Sequence, residues 1–261
     1  MRRAEFNAGG GVEPLKEAVL NISAYLFVAL DELPTLRERC LDEARARKLL
    51  GTILLANEGI NLFLAGDADA VRSFVQWLRQ DVRLAALSPK ESWSASQPFR
   101  KMLVKIKREI IRMDQPAIQP HQARAPAVSA ATVKRWLDAG HDDEGREVVT
   151  LDTRNAFEVD YGKFANAIDW RIQRFGEFPV AAREHLDALR GKTVVSYCTG
   201  GIRCEKAAIY LRELGLEQVY QLDGGILKYF EEVGQAHYEG GCFVFDARES
   251  LGADLQPVGR G

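Results

Sequence analysis

Long apolar runs are missing from this 261-residue chain. No stretch approaches the roughly 18 consecutive apolar residues that span a bilayer, so no membrane anchor is expected. Cysteine is sparse. Cys40, Cys198, Cys204 and Cys242 are too few and too scattered for a disulfide framework, which fits a reducing, cytoplasmic setting. An excess of one charge is missing as well: 35 basic residues stand against 37 acidic ones, a net charge of -2. That balance excludes a chain that coats nucleic acid over its whole surface. The opening "MRRAEFNAGGGVEPLKEAVL" lacks the apolar segment of a secretory signal and reads as a flexible lead-in over residues 1–20. There is no internal repeat and no low-complexity tract. His121, His141, His185 and His237 are not paired at metal-ligand spacing, and the chain has neither a Walker loop nor a dinucleotide fingerprint. No metal and no resident cofactor is evident, and nothing identifies a protein partner.

What remains is the composition of a globular protein, 46% hydrophobic and 28% charged, long enough for two domains. From residue 21 to 112 the pattern is βαββαβ. "ISAYLFVAL" reads as a buried strand and "LPTLRERCLDEARARKLL" as a helix. "GTILLA" and "INLFLA" form a hairpin across "NEG", and "DADAVRSFVQWLRQD" is a helix capped by Asp67. "KMLVKIKRE" alternates and supplies the last strand. That order predicts a ferredoxin-like, acylphosphatase-like α+β domain. Residues 113–126 hold three prolines and read as a linker. Over 127–237 helices alternate with short Val-rich strands ("EVVTLD", "TVVSYC", "QVYQL"), which predicts an α/β domain with a central parallel sheet. Residues 238–261 form a tail in which Cys242 lies on an alternating run. Cys40 is expected in the core.

In a parallel sheet, ligands sit beyond the carboxyl ends of the strands. "TVVSY" delivers Cys198 to that edge, and Thr199, Gly200, Gly201 and Ile202 make a short loop before the next helix. The glycines let several backbone N–H groups converge on one point. A thiolate there gains from those amides, from the helix dipole and from Arg203, all of which lower a cysteine pKa. Cys204 is either a packed helix residue or a resolving thiol. Asp152 and Arg154 end a strand at the same edge and read as a supporting ion pair. Lys206 reads as solvent-exposed, and Glu58 and Asn61 as turn residues within reach of a substrate. Zinc is not expected, because Cys198 and Cys204 lack a second close pair.

Between Lys90 and Arg112 seven basic residues meet only Glu91 and Glu109, with Trp93 and Phe99 among them. Arg100, Lys101, Lys105 and Lys107 are thus candidate RNA contacts, with aromatic rings for stacking. Arg171 and Arg174, in a loop expected near Cys198, are further candidates.

The Cys-x4-Arg loop, preceded by "LDTRNAFEVDYGKFANAI", resembles the rhodanese (sulfurtransferase) domain over roughly residues 127–237. A related branch, the dual-specificity cell-cycle phosphatases, uses a loop one residue longer for phosphate, and the shorter loop suits a sulfur-sized guest. "CTGGIRCEKAA", "LDGGILKY" and "GGCFVFDAR" occur together with "GTILLANEGIN" and "PFRKMLVKIKREII". In that combination the chain resembles the rhodanese-type tRNA uridine hydroxylases, which form 5-hydroxyuridine at wobble position 34. Many members continue into a cysteine-rich segment after "CFVFDAR" and have small residues where this chain has "LFLAG". The resemblance implies an oxygen-dependent enzyme with molecular oxygen as co-substrate, tRNA as partner and Cys198 as the catalytic cysteine, able to carry a persulfide. The residues themselves argue for a reactive thiol and supply no means of activating oxygen. Two alternatives stay open: a sulfurtransferase using the same cysteine, and a noncatalytic tRNA-binding module.

Overall fold

The computed structural model describes residues 18–258. Most of the lead-in over 1–20 lies outside the described residues. Val19–Phe27 (β1), Leu33–Ala46 (α1), Leu50–Ala56 (β2), Gly59–Gly66 (β3), Ala68–Leu78 (α2), Lys90–Ser94 (β4) and Met102–Ile106 (β5) build the first unit. Its strands lie in the order β4-β1-β3-β2-β5. Period-two alternation sends Leu20, Ile22 and Ala24 to a core shared with Leu36, Cys40, Phe74 and Leu78 of the two helices. Asn21, Ser23 and Tyr25 therefore face the other way, and the β1–β3 register sets Tyr25 opposite Asn61 and Ser23 opposite Phe63.

The last strand differs from the sequence expectation. The strand that closes the ferredoxin-like order beside β1 is β4, "KESWS", antiparallel to it. "MLVKI" is a fifth strand, parallel to β2 on the opposite edge. β4 carries no apolar alternation because it is an edge strand: only Ser94 of its five residues is buried. Ile106, on the same face of the alternating run as Met102 and Val104, is exposed at the end of β5.

The second unit contains Ala127–Val128 (β6), Ala130–Ala139 (α3), Val148–Asp152 (β7), Ala156–Val159 (α4), Gly162–Phe164 (β8) and Ile168–Asp169 (β9). It continues through Phe178–His185 (α5), Thr193–Tyr197 (β10), Ile202–Glu213 (α6), Val219–Leu222 (β11) and Gly225–Val233 (α7). The order β6-β11-β10-β7-β9 is parallel throughout, so β10 is central. Val194 joins the core under α5 and α6 with Phe178 and Leu211. Val195 and Tyr197 join the opposite core with Val133, Ile226 and Phe230. The segment 113–126 forms no helix or strand, yet Met113 and Ile118 are buried in the α5/α6 core, which ties the segment to this unit.

Tyr238–Gly240 (β12) pairs with β8, and Cys242–Phe243 (β13) pairs with Ser250–Leu251 (β14) as a small hairpin. Arg248 of that hairpin reaches the first unit, where its Nη1 donates to Ser92 Oγ at 2.7 Å. The tail thus touches both units.

Candidate active site

β10 ends by delivering Cys198 to the carboxyl edge of the parallel sheet, fully buried at the N-terminus of α6. The loop is clamped from two sides. Ile226 N–H and Leu227 N–H, at the start of α7, donate to the carbonyls of Cys198 (3.0 Å) and Thr199 (3.2 Å). Gly225 permits that approach: a Cβ there would stand 2.4 Å from Cys198 O, and its φ is +68°. Gly201, at φ +106°, turns its N–H onto Cys198 Sγ at 3.1 Å. The Cys204 thiol donates to Gly201 O at 3.0 Å.

Burial works against charge on the Cys198 sulfur. The Cys204 thiol, the Arg203 guanidinium and the backbone N–H groups of Cys204 and Arg203 outweigh it and hold the Cys198 thiol well below its ordinary value. The other cysteines move the opposite way. Burial pushes Cys40 and Cys242 up to about 12. Burial and the neighbouring Cys198 push Cys204 well up, opposite to Cys198.

Arg203 is held by a residue that the sequence does not single out. Glu158, fully buried, accepts both arms of its fork, at 2.5 Å from Nη1 and 2.7 Å from Nη2. Its only sequence signal is its position inside the "LDTRNAFEVDYGKF" lead-in. Asp152 and Arg154 form a second, fully buried pair, with Arg154 Nη2 at 2.6 Å from Asp152 Oδ2 and also donating to Gly162 O at 2.6 Å. Both groups face the protein interior, so this pair braces the sheet edge.

The first unit closes over the loop. Strands β1, β2 and β5 end, and β4 begins, at one edge of its sheet. That edge presents Tyr25, Glu58, Lys90 and Glu109 to α6 and its loop. Tyr25 Oη donates to Glu205 at 3.1 Å and stands 2.8 Å from where a Cβ on Gly201 would lie. Arg124 pairs with the same Glu205 at 3.0 Å. Lys206, expected at the surface, is 1% exposed. Its Nζ lies 2.8 Å from Glu58, 2.7 Å from Glu109 and 3.1 Å from Ile111 O. Its partners lie roughly 100 to 150 positions earlier in the chain, which is why helix position alone misplaces it. Glu58 is thereby committed to this network rather than to a substrate, while Asn61 lines the cavity and donates to Ile110 O.

Between the units lies a cavity of about 570 Å³. Tyr25, Phe63 and Lys90 wall it from one side, Cys198, Thr199 and Gly200 from the other, and Phe245 of the tail adds to the lining. Of the candidate RNA contacts, Arg174 lies at its rim, exposed and paired with Glu177. Arg171 is tied to Asp160 and Asp169 and does not line the cavity. Arg100, Lys101, Lys105 and Lys107 are exposed, and among the described residues none has a carboxylate partner. They stretch along β5 and its flanks over about 20 Å at about 3.3 Å per residue, and the residues on either side of them, Phe99 and Ile110, line the cavity. Among the described residues no cluster of three His, Cys, Asp or Glu is arranged to hold a metal, and no helix is long and apolar enough to cross a membrane.

Fold and loop together define a two-unit protein of rhodanese type, with an acidic thiol under an acylphosphatase-like partner. Known families agree: residues 19–110 match the UPF0176 acylphosphatase-like domain and residues 129–232 the rhodanese-like domain. A protein of Variovorax paradoxus named tRNA uridine(34) hydroxylase is 68% identical, covering 92% of this chain and 91% of its own. One of Bordetella petrii with the same name is 65% identical over 93% and 96%. Among solved structures, the rhodanese-like domain of an Anabaena protein is 22% identical over 44% of this chain and 79% of its own, with a TM-score of 0.36. The chain belongs to the tRNA uridine(34) hydroxylase family.

Proposed function

We propose that this chain hydroxylates uridine 34 of tRNA to 5-hydroxyuridine, with molecular oxygen as co-substrate and Cys198 as the reacting group. The observation that carries the reading is the Cys198 thiol, held well below its ordinary pKa, in the lining of a cavity walled by both units. Identity of 65–68% to proteins named for that activity, running through both units, supports the hydroxylase over a sulfurtransferase. Arg203 and the loop N–H groups hold negative charge on the sulfur, and they serve the outer sulfur of a persulfide in the same way. One oxygen atom of O2 enters the C5–H bond of the base. The other leaves as water, with two electrons and two protons from an external reductant. In this reading the exposed basic residues along β5, with Arg174 at the rim, hold the phosphates of an anticodon loop.

The test is deletion of the gene in its host, nucleoside mass spectrometry of total tRNA, and complementation with wild type and with Cys198→Ser. The expected result is loss of 5-hydroxyuridine and its derivatives on deletion, with return only for wild type. Unchanged 5-hydroxyuridine on deletion overturns the reading, and thiocyanate formation from thiosulfate and cyanide then becomes the assay that matters.

A further inference from the structure

Each carbonyl of the loop has its own restraint. Cys198 O and Thr199 O accept from Ile226 N–H and Leu227 N–H of α7. Gly201 O accepts from Glu205 N–H at 3.2 Å and from the Cys204 thiol. Gly200 O is different. Among the described residues it accepts from Lys90 Nζ alone, at 2.5 Å, and Lys90 belongs to the other unit.

A trans peptide points its C=O and N–H in opposite directions. The carbonyl of Gly200 and the N–H of Gly201 belong to one peptide plane. Gripping the carbonyl from outside the loop therefore turns the N–H inward, where it meets Cys198 Sγ at 3.1 Å. The link itself does not dictate that orientation, because Gly-Gly has no side chain to resist a flip of the plane. The flipped plane aims an oxygen at the sulfur.

We infer that Lys90 is a positioning residue for Cys198: it fixes the Gly200–Gly201 peptide with its N–H on the sulfur, so that the acidity of the thiol in one unit is set by a lysine of the other. The ammonium also polarises the peptide it grips, strengthening the N–H donor. The inference rests on the Lys90–Gly200 and Gly201–Cys198 contacts and holds whichever reaction that thiol performs. Other charges face the same groups. Glu231 of α7 and Asp223 after β11 act on Lys90. Arg203 and Cys204 of α6 act on Cys198, and the Tyr25–Glu205 pair borders the loop.

The test compares full-length wild type, Lys90→Met and Lys90→Arg by the pH dependence of Cys198 alkylation with iodoacetamide, read on the Cys198 peptide by mass spectrometry. In Lys90→Met the midpoint should move upward and the rate at pH 7 should fall about tenfold or more, the worth of one hydrogen bond to a charged group. Lys90→Arg, which keeps a charged donor, should stay within about threefold of wild type. Cys198→Ser identifies the signal, and tryptophan emission with the melting midpoint shows which variants are folded. A folded Lys90→Met with the wild-type midpoint and rate overturns the inference. Should Lys90→Met not fold, Lys90→Gln takes its place, and if neither folds the residue is structural and the inference fails.

Discussion

Replacing Lys206 with methionine removes the cation that faces Glu58 and Glu109 at the junction of the two units. The ammonium is 1% exposed, and the carboxylates are 13% and 18% exposed. Removing one partner of a buried ion pair costs about 3–5 kcal/mol, because the charge left behind has lost both water and partner. Two features reduce that cost. Glu58 keeps Ile110 N–H at 2.7 Å, and Glu109 keeps Met113 and Asp114 N–H, each at 3.0 Å. Their partial exposure also lets water screen part of the charge. The expected loss is therefore about 3 kcal/mol, the low end of the range and roughly two orders of magnitude in the folding equilibrium. Urea unfolding of the full chain is the assay. Trp77 and Trp93 report on the first unit and Trp136 and Trp170 on the second, so tryptophan-to-phenylalanine backgrounds show whether their transitions part once the junction is cut. Adding Glu58→Gln and Glu109→Gln to Lys206→Met should recover most of the loss, since no charge is then stranded. A loss below about 1 kcal/mol for Lys206→Met, or no recovery in the triple variant, refutes the reasoning.

Gly201→Ala places a Cβ 2.8 Å from Tyr25 Oη at φ +106°, so it should cost about 1–3 kcal/mol and lower 5-hydroxyuridine formation more than tenfold, measured on purified tRNA. The depressed Cys198 thiol predicts an alkylation midpoint well below that of the urea-unfolded chain. Its contribution to stability is complete above the unfolded thiol's value and is lost as pH falls through the folded one, so unfolding curves of Cys198→Ser should lack that slope. Arg203→Lys gives up the two-armed grip of Glu158 and should move the midpoint upward while lowering activity at least tenfold, in the same alkylation and nucleoside assays. Lys105→Glu and Lys107→Glu should weaken tRNA binding and reduce the slope of log K against log salt by about one for each phosphate no longer engaged, with Cys198 alkylation unchanged.

Where burial is legible in the sequence, periodicity carries it. The apolar runs of β2, β3 and β10 are buried as their composition requires, and the strand-loop-helix geometry that holds Cys198 is equally plain. β4 escapes because its contribution is backbone pairing at an edge, which needs no apolar residue, and the more periodic β5 takes its place in the pattern. Lys206 escapes for the converse reason. α6 is covered by its own sheet on one side and by the first unit on the other, so Arg203, Cys204, Glu205 and Lys206 are all buried and the helix has no polar face to announce itself. A buried charge is tolerated only where its partner is, and the partners of Lys206 and Arg203 lie far off in the sequence. Lys90 and Tyr25 are hidden the same way, since a contact between units leaves no local pattern.

The tail hairpin has a consequence for the order of events at the ribosome. Phe245 lines the cavity and Arg248 ties the hairpin to β4, yet both are made after Cys198. At about 5–20 residues per second, the roughly 50 residues from Cys198 to the end of that hairpin take a few seconds to about ten. When Cys198 is made the strands that carry Lys90 and Tyr25 already exist, whereas α6, α7 and then the hairpin follow it in turn during that interval. The nascent thiol has no low-pKa form until the second unit closes around it. Synthesis therefore makes the thiol before the groups that lower its pKa.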